Sequence, residues 1–270
     1  MRLKKTPKNI VDAAKKNNVV KFSELIDPKT VTSYGYDDDP LLCSVACWGS
    51  VDVAGIMIDA GCDVSAEGEN LLTPLIAACG AGNVEMVAFL LEKGADPHQC
   101  VDEYPPSAII STVVEADSPE YLDVLRLLLD AGVDPLKTAT GSWVLGSCIS
   151  DYSYVAGMIT LLMEAGADPN YLDPARKTTA LHMAVRANSK SQVQELVDFN
   201  ADPSIVVPKS DWDWSGLDAI AYAEKLKSRA IVTLLRDSSG KQANTAKKKK
   251  TKKKKTTKKA AKRKTAKKKK

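Results

Sequence analysis

Apolar residues recur along this chain in pairs set a fixed distance ahead of a glycine or asparagine. The pairs Met57/Ile58, Leu90/Leu91, Leu128/Leu129, Leu162/Met163 and Leu196/Val197 lead, in order, to Gly61, Gly94, Gly132, Gly166 and Asn200. Those five residues are 33, 38, 34 and 34 positions apart, and each is followed two residues later by an aspartate: Asp63, Asp96, Asp134, Asp168 and Asp202. Twelve residues before them stand Gly49, Gly82, Glu120, Tyr154 and Asn188. Three of these are Gly or Asn, which tolerate the left-handed backbone a helix needs in order to stop and turn. Self-similarity at such a period marks a repeat architecture.

Each period reads as two antiparallel helices. In the clearest, Thr73 can cap a first helix and Pro74 fits its first turn, where a missing N–H costs nothing. Gly82 ends that helix. Val84, Val87, Leu90 and Leu91 form the buried stripe of the second, and Gly94-Ala95-Asp96-Pro97 makes the exit turn. The register extends to Asn17 with Leu25/Ile26 at one end and to Ala219–Leu235 at the other. Seven units follow, near 8–37, 38–70, 71–104, 105–140, 141–175, 176–213 and 214–237.

These residues carry a resemblance to the ankyrin-repeat family. Thr73-Pro74-Leu75 and Thr179-Ala180-Leu181-His182-Met183-Ala184 match its Thr-Pro-Leu-His-x-Ala signature. Gly94-Ala95-Asp96-Pro97 and Gly166-Ala167-Asp168-Pro169-Asn170 match its turns. The resemblance spans roughly 8–237 and implies an all-α solenoid of about seven stacked helix-turn-helix units with finger-like turns. Residues 1–7 would form a short basic lead-in. The family pattern is broken in places. One unit keeps the signature histidine, the stretch Pro106–Pro119 holds five extra residues, Ser142–Leu145 matches a first helix poorly, and the connector Val206–Ser215 is long.

The resemblance further implies a non-enzymatic scaffold, a monomeric solenoid that binds protein partners on a concave face built from the fingers and first helices. A lone helix pair cannot bury its apolar face, so stability comes from neighbours. The fingers here would be Tyr34–Asp39, Ser65–Asn70, Gln99–Tyr104, Leu136–Gly141, Tyr171–Lys177 and Lys209–Trp214. Several pair acids with aromatics, which are enriched at interface hot spots. Tyr36, Asp38, Glu67, Glu69, Glu103, Tyr104, Trp212 and Trp214 are the candidate partner-binding residues, and a basic or mixed basic–apolar partner is expected.

Charge sharpens that picture. Of 38 Lys and Arg, 18 lie in residues 241–270, which hold no acid; the first 240 residues therefore keep 20 bases against 34 acids, a net −14. The whole-chain net charge of +4 describes neither part. Residues 238–270 carry no Leu, Ile, Val or aromatic side chain and read as a disordered lysine-rich tail. Lys247, Lys248, Lys249, Lys250, Lys252, Lys253, Lys254, Lys255, Lys262, Arg263 and Lys264 are its densest clusters. Three uses are open: recognition by an import receptor, sequence-independent binding of nucleic acid or another polyanion, or folding back on the acidic body. A nucleic-acid-associated protein is the alternative reading of the whole chain.

Candidate chemistry changes little. His98 has Cys100 two residues on, but a structural zinc needs four ligands at matched spacing. The six cysteines are scattered through helical patterns and read as reduced thiols. No phosphate loop or nucleophile elbow occurs. His182 stands where the resemblance implies a structural hydrogen bond between adjacent units. No cofactor, metal or catalytic residue is expected. With no apolar run of signal or membrane-span length, the expected location is the nucleus or cytoplasm.

Overall fold

The computed structural model describes residues 4–36, 39–68, 72–99, 107–135, 144–149 and 155–239. Their helices are α1 (Lys8–Lys15), α2 (Val19–Leu25), α3 (Leu41–Trp48), α4 (Val51–Asp59), α5 (Pro74–Gly80), α6 (Val84–Glu92) and α7 (Ala108–Val114). They continue with α8 (Glu120–Asp130), α9 (Val144–Ser147), α10 (Met158–Glu164), α11 (Ala180–Arg186), α12 (Lys190–Asp198) and α13 (Ala219–Lys225). A last helix, α14, covers 229–239. Among the described residues these make seven consecutive pairs, as the apolar register predicts. Short strands β1 (Lys4–Lys5), β2 (Tyr34–Tyr36) and β3 (Asp39–Pro40) form a small sheet in the order β1-β2-β3.

The chain divides into two compact units, Met1–Asp168 and Pro169–Lys270. In the first unit the leading helices of successive pairs lie against one another: α3 on α5, α5 on α7, and α7 on α9. The trailing helices form a second layer, with α2 on α4, α4 on α6, α6 on α8, and α8 on α10. In the second unit α11 packs on both α12 and α13.

Local chemistry explains the helix boundaries. Thr73, Ser107, Thr179 and Asp218 each accept a hydrogen bond from the backbone N–H three residues on, capping α5, α7, α11 and α13. Such caps are worth about 1 kcal/mol each. At the far end of the second to sixth pairs the backbone turns left-handed, at φ 94° for Gly61, 91° for Gly94, 89° for Gly132, 99° for Gly166 and 66° for Asn200. The aspartate two residues later then accepts a backbone N–H on its side chain: Ser65 N–H to Asp63 at 2.9 Å, His98 N–H to Asp96 at 2.8 Å and Ser204 N–H to Asp202 at 2.9 Å. The recurrent aspartate is thus a turn former.

Two details depart from the register. Glu120, counted as a turn position, is the first residue of α8. That helix runs eleven residues where α4 and α6 run nine, so the extra residues of this repeat push its turn upstream to 115–119. Tyr154 lies outside the described residues, and the left-handed residue ahead of α10 is Gly157, at φ 92°.

With only 6% of residues aromatic, most of the core is aliphatic. Met86, Val87 and Leu90 of α6 are fully buried, as are Val53 and Ala54 of α4 and Leu125 and Leu128 of α8. Each large aliphatic side chain buried in this way contributes about 1.5–3 kcal/mol.

Adjacent pairs are also tied by a repeated polar contact. Carbonyls near the ends of α1, α3 and α5 lie beyond the helical ladder, and each accepts a hydrogen bond from a side chain of the next pair. Ser50 Oγ donates to the Ala14 carbonyl at 2.5 Å, Asn83 Nδ2 to that of Cys47 at 2.7 Å, and Tyr121 Oη to that of Gly80 at 2.8 Å. Tyr121 also explains Gly82, whose φ is 68° and whose absent Cβ would sit 2.9 Å from the Tyr121 ring. We expect Tyr121→Phe to lower the unfolding free energy by about 1 kcal/mol. Gly82→Ala should cost more, because it adds backbone strain to the clash. Urea unfolding of the two variants beside wild type measures both, and equal stabilities would contradict this account.

Candidate partner-binding surface

In the first unit the first finger is a short β-hairpin of β2 and β3, widened by β1 running parallel to β2. Thr6 fastens it, giving both its N–H (3.0 Å) and its hydroxyl (2.8 Å) to the Gly35 carbonyl. Tyr36 on β2 is half-buried and meets Trp48, the last residue of α3, edge to face at 5.4 Å. Lys15 of α1 lies over both rings, 4.8 Å from Trp48 and 5.3 Å from Tyr36. Neither Trp48 nor Lys15 stands out in the sequence as a site residue. Trp48 sits beside the predicted turn at Gly49, and nothing local announces its contact with a finger.

The second finger lies against the first. Gly68 backs onto Asp39, where a side chain would fall 1.7 Å from the Asp39 carboxylate. Beside it Glu67 is exposed and accepts a 2.6 Å hydrogen bond from Gln99 of the next finger, another residue the sequence does not single out. Tyr36 and Glu67 are therefore on neighbouring fingers. Asp38, Glu69, Glu103 and Tyr104 lie outside the described residues, as do all the tail positions from Lys247 to Lys264.

In the second unit the two predicted tryptophans divide. Trp212 is 50% exposed, whereas Trp214 is 2% exposed and belongs to the core. The rings stack at 5.1 Å and 10°. Trp214 meets Tyr222 of α13 edge to face at 6.1 Å, and the Arg186 guanidinium lies 5.6 Å from it. The Tyr222 hydroxyl donates to Asp213 at 2.8 Å, and Lys225 Nζ donates to the Asp213 carbonyl. Trp214 is thus an anchor for the long connector rather than a contact residue. Residues 211–216 run through bends and turns, so the two rings lie on the same side of the loop, with Trp214 buried and Trp212 stacked on it and half exposed.

His182 is 1% exposed and bridges two successive pairs of this unit. Nε2 lies 3.2 Å from the Leu217 carbonyl, which can only accept, so Nε2 carries the proton. Nδ1 then accepts from the Thr179 hydroxyl at 2.8 Å. Burial pushes its pKa below the usual imidazole value, opposed by the Leu217 carbonyl and the Asp218 charge. The buried thiols move the other way. Cys43 is pushed up to about 12, mainly by burial and then by the Asp39 charge, and Cys79 to about 12 by burial. Both stay protonated near neutrality and act as small apolar fillers. Among the described residues no group of three or more His, Cys, Asp or Glu could hold a metal ion.

The acidity of the body is also divided. Residues 1–168 hold 25 acids against 11 bases, and residues 169–240 hold nine of each. The entire −14 belongs to the first unit.

A family description of ankyrin repeats in three copies matches residues 10–99, 42–139 and 148–247. The chain belongs to the ankyrin-repeat family. An ankyrin repeat-containing protein of Treponema pallidum is 32% identical over 126 residues, covering 46% of this chain and 40% of its own length. A Dirofilaria immitis protein named L-asparaginase is 28% identical over 198 residues, covering 73% of this chain and 31% of its own length. The chain thus spans well under half the length of these two relatives. Among solved structures, the ankyrin repeat domain of human ASB11 superposes with a TM-score of 0.65 at 22% identity, over 80% of this chain and 92% of that one. A chain from the complex of the predatory endopeptidase Bd0816 of Bdellovibrio bacteriovorus with immunity protein Bd3460 gives 0.59 at 17% identity, over 72% and 98%. These structural likenesses establish the shared ankyrin fold.

In this ankyrin-repeat chain His182 is a structural bridge, and its loss should be costly. We expect His182→Ala to lower stability by about 2–4 kcal/mol, through the cavity and the orphaned Leu217 carbonyl. Because its folded pKa is depressed, the unfolded chain binds the proton more readily. Its contribution is therefore complete above the unfolded value near 6.5 and fades as pH falls. Thermal melts between about pH 7.5 and pH 5 should fall less steeply for His182→Gln than for wild type. Parallel curves would remove the linkage.

Proposed function

We propose that this chain, whose ankyrin repeats form a protein-interaction scaffold, acts without catalysis, gripping a basic or mixed basic–apolar partner through the fingers and leading helices of its first unit. The observation that carries this is the confinement of the −14 charge to residues 1–168, together with Tyr36 and Glu67 on adjacent fingers. Charge of one sign on a rigid frame raises encounter rates with an opposite partner, and half-buried aromatics supply contact area at low entropic cost. The ionisable groups of the core support a structural role. Both ring nitrogens of His182 are engaged, and the thiols of Cys43 and Cys79 are held protonated. The name of the Dirofilaria protein stays with that protein, since the match spans 31% of it.

The test is charge reversal on the fingers, combining Asp38→Lys, Glu67→Lys, Glu69→Lys and Glu103→Lys in the full chain. Affinity purification should then lose most of the partners that wild type recovers. An unchanged partner list would reject the acidic surface.

For the tail we propose a targeting or polyanion-binding role, with the clusters from Lys247 to Lys255 and at Lys262, Arg263 and Lys264 engaging an import receptor or phosphates. The nucleus is then the favoured location over the cytoplasm. The second reading, a nucleic-acid-associated protein, draws on the same 18 basic residues. With no aromatic side chain in the tail to stack on bases, binding should ignore sequence. Titrating a fluorescent duplex against the full chain should give a log–log salt slope near −5 if about six phosphates are neutralised. A flat salt dependence would exclude this mode. Retention in the nucleus after removal of residues 241–270 would exclude the import role.

A further inference from the structure

The last finger and the start of the tail belong to the same end of the same unit. In this unit the turn after one trailing helix touches the turn after the next: Asn170 Oδ1 accepts the Asp202 N–H at 2.7 Å, and its Nδ2 donates to the Asn200 carbonyl at 3.4 Å. The finger 202–217 follows α12 at that level and leads into α13, whose cap is Asp218. α14 returns antiparallel to α13 after a turn at 226–228, with Lys227 left-handed at φ 60° and a side-chain hydrogen bond from Arg236 to Glu224. By the repeat's geometry, α14 therefore ends, at residue 239, at the level where α12 ended and the finger 202–217 began. From there Lys247 is eight residues away, a reach of up to about 27 Å.

That finger is already a seat for cations on its inner side. Arg186 lies over Trp214, and Lys225 Nζ donates to the Asp213 carbonyl. On the outer side, Trp212 is 50% exposed, and no described basic residue pairs with the neighbouring Asp211 carboxylate. The chain uses the same chemistry elsewhere, with Lys15 over Trp48 and Tyr36. We infer that the lysine-rich tail docks in cis along this finger, laying basic side chains on the outer face of Trp212 and against Asp211.

Each such contact is weak, about 0.5–1 kcal/mol at an exposed ring. A tether this short supplies an effective concentration in the millimolar range, and several lysines can exchange on one platform. The tail has no Leu, Ile, Val or aromatic side chain, so the clasp is held by charge and ring contact and is loosened by salt. A polyanion that takes the tail uncovers Trp212 in the same event. The finger and the proposed ligands of the tail thus compete for one segment.

Acrylamide quenching of tryptophan emission reads this contact in the full chain. The comparison is wild type against a chain with all 18 basic residues of 241–270 changed to Gln, at about 20 mM and about 500 mM salt. Neutralising the tail should raise the quenching slope roughly 1.2-fold or more at low salt, because a basic side chain no longer shields the exposed ring. The difference should vanish at high salt. It should also vanish when both chains carry Trp212→Phe, which removes the reporter and keeps an aromatic ring. Equal slopes at low salt would sink the proposal. A difference that survives Trp212→Phe would also overturn it, since the tail would then be covering another tryptophan.

Discussion

Each helix pair in this chain can hide only part of its apolar surface within itself, and the rest is covered by the next pair. The next pair also lends a side-chain donor to a carbonyl near the end of the leading helix. Ser50, Asn83 and Tyr121 come from three successive pairs of the first unit and do the same work by different chemistry, a hydroxyl, an amide and a phenol. Each such bond contributes about 1 kcal/mol and adds to the apolar contact between one pair and the next. The position is filled by whichever donor reaches. Tyr121 does so from a longer helix and occupies the space that Gly82 leaves open. Everything the fingers present depends on this spacing.

That arrangement separates frame from surface. Helix caps, left-handed turns and turn aspartates are spent on the frame, which leaves them unavailable as a partner's first contacts. Asp63, Asp96 and Asp202 look acidic in the sequence, yet each is committed to its own backbone. On the fingers and at the end of a leading helix, by contrast, Glu67 is exposed and Tyr36 and Trp48 are half-buried. His182 belongs to the frame as well. Its depressed pKa follows from burial between Thr179 and Leu217 and serves no proton transfer.

Charge is partitioned just as firmly. An acidic first unit, a balanced second unit and a strongly basic tail coexist in one chain whose net charge is only +4. Opposite charges on one chain are held at high effective concentration for one another. The net neutrality of residues 169–240 makes aromatic faces, rather than bulk charge, the local attraction there.

The repeat, its period, the helix pairs and the left-handed turns were all legible in the sequence, because each is decided by residues within a few positions of one another. A glycine that must adopt positive φ, a threonine that must accept a backbone N–H and an aspartate that must close a turn leave marks that recur every 33 to 38 residues. Departures appeared where a residue's fate is decided from outside its own turn. Glu120 was assigned to a turn because a longer helix shifted the register. Trp214 resembled Trp212 in the sequence, but Tyr222 and Arg186 converge on it and carry it into the core. The pairing of Tyr36 with Trp48 and Lys15, and of Glu67 with Gln99, joins residues 12 to 33 positions apart on separate elements. Local sequence determines which way each segment turns; which side chains then meet depends on how the pairs lean on one another, and only the packed structure decides that.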